Sequence, residues 1–326
     1  MRGQSRTLRV TLRAAVLGHP IGHSKSPALH RSAYAYLGVA MDYSAIDVTE
    51  ADLPSLMVRI REAVGQGDSW RGLSVTMPLK TAMVAEVDEV RGVGRALGVI
   101  NTVAFEPDDS GRGPSGANSG TTRLVGYNTD VAGIVNALRH ARAASAPVAV
   151  ILGGGGTAAA AIAALTELGA LSAEVYVRDI GRAAEARAAA AAVGLPITVL
   201  PIAGAAAAVA AADVVISTLP PRAADALAAD LAQEFERDLT QHVTGEDMPA
   251  AARTHPGVLL DVAYDPWPSR IASVWQDAGG TVVPGLEMLI YQAVEQVRHF
   301  TRLGDAVPAG VIDVMCDAVG APRRVF

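Results

Sequence analysis

A single cysteine, Cys316, stands among 326 residues, which excludes an internal disulfide and fits a reducing compartment. Cationic excess is missing as well. Only 27 Lys and Arg face 33 Asp and Glu, a formal charge of −6, so the totals give no argument for nucleic acid or an anionic membrane surface. Outside the alanine runs, which are weakly hydrophobic and broken by charge, no apolar stretch approaches the roughly 20 residues of a membrane helix. Arg2, Arg6, Arg9 and Arg13 precede the apolar Ala14–Gly18. That run stops at His19-Pro20, short of the roughly 7–15 apolar residues in the core of a secretory signal. A cytoplasmic chain is expected, with a first β-strand behind a ragged arginine-bearing leader. No repeat of fixed period is present and no metal site is expected. The remainder is ordinary for a globular protein, with 50% apolar and 18% charged residues and a length suited to roughly two domains.

The chain is organised around Val148–Leu165. A short apolar run reads as a buried strand, Gly153-Gly154-Gly155-Gly156-Thr157-Ala158 as a tight turn, and the alanines that follow as a helix. That order suits a phosphate site, because the free N–H groups at a helix start face whatever occupies the turn. Gly153, Gly155 and Ala158 match the spacing of a dinucleotide fingerprint. The first glycine permits the turn, the second lets backbone approach a pyrophosphate, and the small third residue packs helix on strand.

Around this stretch the expected organisation is α/β in two domains. Strands are expected at 9–18, 43–48 and 72–76, helices at 28–37 and 52–64, and a further helix from about Lys80. Residues 99–105 and 124–127 read as a hairpin around a Gly/Ser/Pro-rich surface loop, 106–122. A helix should run from Asp130 to about Ala144, with Thr129 or Asp130 as its cap. From 145 to 284 strands at 148–152, 174–177, 197–199, 214–217, 258–262 and 281–283 alternate with helices, the pattern of a doubly wound parallel sheet. Residues 223–254 read as helix and polar loop, and 285–302 and 308–319 as closing helices. The expected domains are therefore 1–129 with 285–326, and 130–284. The first lacks a comparable glycine turn and is expected to hold the other reactant.

The second strand of the nucleotide unit ends at Val177-Arg178-Asp179, about 20 residues past the turn, where the adenosine ribose is read. An acid there accepts from the 2′-OH of NAD, and an arginine pairs with the 2′-phosphate of NADP. Arg178 and Arg182 beside Asp179 favour NADP, with NAD as the alternative.

Four stretches outside this unit are dense in hydrogen-bonding groups: Gly18–Pro27, Gly72–Lys80, Gly98–Thr102 and Gly126–Asp130. Ser24 and Ser26 are two apart, so in an extended segment both hydroxyls face one side and could clasp a carboxylate. Lys80 and Asp130 could form an acid–base pair, the lysine donating to an oxygen that gains or loses hydride at its carbon.

These loops carry a resemblance. Gly-His-Pro-Ile-Gly-His-Ser-Lys-Ser-Pro, Ser-Val-Thr-Met-Pro-Leu-Lys, Asn-Thr and Gly-Tyr-Asn-Thr-Asp are similar to stretches of the shikimate dehydrogenases. The likeness continues through Leu152–Ala158, Ile216–Pro220, Asp261–Pro266 and Gly285–Ala293, over nearly the whole chain in family order. It implies an N-terminal α/β substrate-binding domain completed by C-terminal helices, and a Rossmann-type NADP-binding domain. It implies NADP-linked interconversion of shikimate and 3-dehydroshikimate on the route to aromatic amino acids, by a monomer or homodimer. Carried over by position, Ser24 and Ser26 would hold the substrate carboxylate, and Thr76, Asn101 and Gln292 ring hydroxyls. Ser74 stands where the family often has asparagine, so its substrate contact would be lost or shortened. Lys80 and Asp130 would be the catalytic pair, and Tyr264 would close over the substrate. Gly153–Thr157 and Ala158 would cradle the pyrophosphate, with Ser217, Thr218, Leu219 and Gly285 also on the cofactor. Arg178 and Arg182 would meet the 2′-phosphate, with the carboxylate of Asp179 beside it. Val131 replaces a frequent glycine and Ala159 a frequent arginine. Two alternatives go with these departures: a quinate/shikimate dehydrogenase that prefers NAD, and a catalytically silent nucleotide-binding relative.

Overall fold

The computed structural model describes residues 11–108, 121–244 and 256–323. The arginine-bearing leader up to residue 10, residues 109–120 of the expected surface loop and residues 245–254 of the expected helix and polar loop lie outside the described residues. Two compact units are present, Met1–Thr129 with Ala293–Phe326, and Asp130–Gln292.

The first unit is built on a six-stranded mixed sheet. Its strands are β1 (Leu12–Gly18), β2 (Met41–Asp47), β3 (Trp70–Val75), β4 (Glu89–Val90), β5 (Thr102–Pro107) and β6 (Thr122–Tyr127), in the order β2-β1-β3-β5-β6-β4. Helices α1 (Ser26–Leu37) and α2 (Leu53–Gly65) connect the first three strands, and β1 lies parallel to both β2 and β3. β1 is apolar through Ala14–Leu17 because both of its faces are covered. β5 and β6 form the expected hairpin, antiparallel, with β5 also antiparallel to β3. A short helix, α3 (Val93–Leu97), precedes β5 and was not expected; five residues carry too little periodicity to read.

The helix expected from Lys80 does not form. Leu79 and Met83 are fully buried, and the chain between them turns into a 3₁₀ segment, Ala82–Glu86. In an α-helix the Lys80 carbonyl would accept from the amide four residues on. Here it accepts from Ile100 N at 3.1 Å, while Val84 N turns to Thr81 O. A bond to the distant segment that leads into β5 has displaced the local one.

The second unit begins with α4 (Asp130–His140), which stops short of Ala144; Arg142 adopts φ 57° just beyond it. Its sheet comprises β7 (Ala149–Leu152), β8 (Ala173–Val177), β9 (Ile197–Pro201), β10 (Val214–Ser217), β11 (Val258–Asp261) and β12 (Thr281–Pro284). The order is β12-β11-β10-β7-β8-β9 and every pair is parallel. This is the doubly wound Rossmann order, with its reversal between β7 and β10. The helices are α5 (Gly156–Glu167), α6 (Ala184–Val193), α7 (Ala206–Ala211), α8 (Asp225–Thr244) and α9 (Arg270–Asp277). α10 (Gly285–Thr301) follows β12, and the chain passes from the second unit to the first inside it, at Gln292/Ala293. α11 (Gly310–Val319) packs on α1. No helix among the described residues is long and apolar enough to cross a membrane.

Candidate active site

In the second unit the glycine turn leaves the C-terminal end of β7 beside the point where strand order reverses, the position at which open α/β sheets bind ligands. Gly153 has φ 112°, and a Cβ there would come within 2.3 Å of Thr218 Oγ1. Glycine is therefore required twice over, by backbone conformation and by space. Thr218 is tied down in turn: both its N–H and its hydroxyl donate to the Leu152 carbonyl, at 2.8 and 2.9 Å. Gly154 lies against Val177 and Ala183, and Gly155 is the N-cap of α5 without a side-chain cap. The first turn of α5 thus has backbone donors for an anion to satisfy. Ala158 is fully buried, as the fingerprint requires of its third small residue. Ser217 is buried at the end of β10, and Leu219 follows Thr218. At Gly285 a Cβ would meet the Val262 carbonyl at 2.2 Å, which accounts for glycine at the start of α10.

After β8, Asp179 accepts from Gly181 N at 2.9 Å and caps a 3₁₀ turn, Ile180–Arg182. Its carboxylate therefore has a structural task. Arg178 and Arg182 are exposed and make no ion pair or side-chain hydrogen bond among the described residues. The donor set fits a dinucleotide with an extra phosphate: a side-chain-free turn for the pyrophosphate, and two uncommitted guanidiniums past the second strand.

The loop after β11 carries Tyr264, which is partly buried. Asp261 anchors this loop. It is buried, accepts from Ser269 Oγ at 2.6 Å and from Ala263 N at 3.3 Å, and is hydrogen-bonded to Ser217. Burial raises its pKa above the ordinary carboxylate value against the pull of those donors. Gln292, in α10, is buried and donates to the Leu289 carbonyl at 2.9 Å; Asp130, buried, opens α4.

In the first unit, three of the four polar stretches meet at the ends of β1 and β3 and the start of β5, and the fourth, at the end of β6, joins them. Thr76 N donates to Leu17 O, His19 N to Met77 O, Val75 N to Asn101 O, and Asn101 N to Tyr127 O, all within 3.1 Å. Lys80 is held through its carbonyl beside Ile100, next to Asn101. Sequence order alone therefore does not separate Ser24, Ser26, Thr76, Lys80 and Asn101; the strand ends gather the loops that bear them.

The extended geometry expected for Ser24 and Ser26 is not found. Lys25 is αR and serves as the N-cap of α1, and Ser26 is already helical. Pro27 at the first turn suits that start. Ser24 Oγ accepts from Ser26 N at 3.3 Å, and Ser26 is buried with its hydroxyl bonded to the Tyr43 phenol. The His19–Ile21 loop before them is pinned by Asp47, which accepts from the His19 ring at 2.7 Å and from Ile21 N at 2.9 Å. These bonds hold the Asp47 carboxyl below its ordinary pKa.

Ser74 is committed within the protein. It accepts from Tyr43 OH and donates to Gln296 Oε1, both at 2.7 Å. Gln296 also takes His30 Nε2 at 3.1 Å, and donates to Asn101 O and Thr102 Oγ1, each at 3.1 Å. Asn101 continues to Thr129 through its carboxamide. His30 is stacked on Tyr43 at 4.1 Å, and burial drives its pKa down to about 3 against the hydrogen bond with Gln296. It is neutral, with Nε2–H donating to Gln296 and Nδ1 accepting from Tyr34 OH at 2.9 Å. His30, Tyr43 and Gln296 were not singled out by sequence reasoning, and Thr102 and Thr129 entered only as members of the polar stretches, Thr129 also as a candidate cap of α4. The available signal was polar residues on apolar helix faces, Gln296 one turn beyond Gln292 and His30 beside Leu29 and Ala33.

Residues 16–103 match the model of the shikimate dehydrogenase substrate binding domain. A relative from Rubrobacter xylanophilus, named shikimate dehydrogenase (NADP(+)), is 33% identical over 299 residues, 90% of this chain and 92% of its own. The crystal structure of Mycobacterium tuberculosis shikimate dehydrogenase is 36% identical, with a TM-score of 0.70 over 95% of this chain and 98% of that one. Quinate dehydrogenase from Corynebacterium glutamicum, in complex with NAD, is 26% identical with a TM-score of 0.72, covering 95% and 98%. With matching loops, sheet order and near-complete coverage together, this chain belongs to the shikimate dehydrogenase family.

Proposed function

We propose that the protein interconverts 3-dehydroshikimate and shikimate with NADP, in the cytoplasm. The observation that carries the reading is the gathering of the Ser24, Thr76–Lys80 and Asn101 loops at one set of strand ends in a unit that matches the family's substrate-binding domain. A polyhydroxylated anionic ring needs many polar contacts, and that edge is rich in them. In this reading Ser24 and Ser26 hold the carboxylate, and Thr76, Asn101 and Gln292 orient ring hydroxyls. Ser74, occupied by Tyr43 and Gln296, supports the edge from beneath. Lys80 donates a proton to the carbonyl oxygen on reduction and takes it back on oxidation, with Asp130 orienting the ammonium and relaying the proton. Tyr264 covers the substrate. NADP, held by Gly153–Ala158, Ser217–Leu219 and Gly285, supplies the hydride chemistry when bound. Arg178 and Arg182 receive the 2′-phosphate.

Two features support NADP over NAD: both arginines are uncommitted, and Asp179 is turned to Gly181 N. The NAD-bound quinate dehydrogenase among the similar structures sets the competing outcome. Initial rates of nicotinamide reduction, with shikimate or quinate and with NADP+ or NAD+, test the reading. The highest kcat/KM is expected for shikimate with NADP+. Faster turnover of quinate with NAD+ would replace this reading, and no turnover with any pair would support the silent relative.

A further inference from the structure

Gln296 uses all four hydrogen-bonding positions of its carboxamide inside the first unit. Oε1 accepts from Ser74 Oγ and His30 Nε2, and Nε2 donates to Asn101 O and Thr102 Oγ1. It is 2% exposed, and every one of those positions is taken by protein. Its orientation is determined: a flipped amide would set its oxygen against the Asn101 carbonyl. The Thr102 hydroxyl accepts from Gln296 and donates to Asn101 Oδ1, 2.9 Å away, with the Thr129 hydroxyl 3.2 Å from it. Thr129 N reaches the same oxygen at 2.7 Å, and Asn101 Nδ2 donates to Thr129 Oγ1 at 2.9 Å. The oxygen of Asn101 is thus claimed from the protein side.

We propose that Gln296 is a positioning residue for substrate binding: through the Asn101 carbonyl and the Thr102 hydroxyl it helps Thr129 hold the Asn101 carboxamide in the orientation that meets the substrate. The inference rests on the reading of Asn101 as a contact to a ring hydroxyl. Ser74 and His30 act one step further back, holding Oε1 so that Nε2 faces the strand end.

Steady-state kinetics with shikimate and NADP+ test this on Thr102→Val, Gln296→Met and the double variant, all close in shape to the native side chains. Each single variant is expected to raise the KM for shikimate about tenfold, the scale of a misplaced polar contact, with the KM for NADP+ unchanged. The double variant should be no worse than the poorer single one, because both break one path. Multiplying effects, a shikimate KM that stays at the wild-type value, or both KM values rising together would overturn the proposal. Thr102→Val removes one hydroxyl from a strand and carries the KM split alone should Gln296→Met not fold. A wild-type enzyme inactive on shikimate would instead sink the functional reading on which the inference depends.

Discussion

The two units build their sites from different materials. In the first, buried polar side chains do the positioning: Ser26, His30, Ser74, Asn101, Thr102, Asn128, Thr129 and Gln296 are all nearly inaccessible. In the second, β7 and α5 are largely apolar, and the turn proposed to face the cofactor is glycine backbone. A ring with several hydroxyls must be read group by group, which needs directed side chains. A pyrophosphate is an anion of fixed shape, and free N–H groups at a helix start suffice for it. Damage should follow the same division. Deleting side chains should hurt the first unit, and adding them should hurt the second.

Lys80→Ala should give the largest loss, at least about a hundredfold in kcat, the usual scale for a positioned acid–base group. Shikimate binding measured by calorimetry should persist, and a near-native kcat would remove Lys80 from its role. Gly153→Ala inverts the experiment by adding a methyl. The φ of 112° and the approach to Thr218 Oγ1 predict destabilisation by roughly 1–3 kcal/mol and a NADP+ KM raised about tenfold, with shikimate affinity spared. If the shikimate KM moves equally, the division of labour fails.

His30 sharpens the contrast through pH. The unfolded chain protonates this ring below about 6.5, and the folded protein refuses the proton until about 3. The unfolded state therefore binds more protons in that window. The stability due to a neutral His30 is fully present above it and falls on acidification by about 1.4 kcal/mol per pH unit. Denaturant titrations should show a shallower acid limb for His30→Phe than for wild type; parallel limbs would count against a buried neutral ring. Asp179→Asn is expected to have the smallest effect. The cap to Gly181 N can survive while a charge beside Arg178 and Arg182 is lost, so the NADP+ KM should fall about two- to threefold. A rise would mean that the carboxylate assists the cofactor.

The same contrast explains what could be read from the chain. Gly153, Gly155 and Ala158 are close in sequence and encode a backbone shape, so the turn between β7 and α5 was legible from spacing. The alternation of strands and helices from Val148 onward was legible for the same reason, and the parallel sheet follows it. His30 and Gln296 lie 266 residues apart, and nothing local in either announces the other. Ser24 and Ser26 show the opposite failure, a local reading that assumed an extended chain where Lys25 and Ser26 enter a helix. The region after Lys80 failed because Ile100, not a neighbour in sequence, claims its carbonyl.

The helix that starts at the phosphate turn has a further implication for engineering. From Ala158 to Leu165 every residue of α5 is buried, six of the eight being alanine. Sheathed largely in methyl groups, this rod packs closely against its surroundings, with only Ile162 and Leu165 having rotamers to rearrange. One extra methylene would push the whole cylinder, at a cost of roughly 1–3 kcal/mol. Libraries meant to retune the cofactor should leave this stretch alone and diversify the loop after β8, where bulk has somewhere to go.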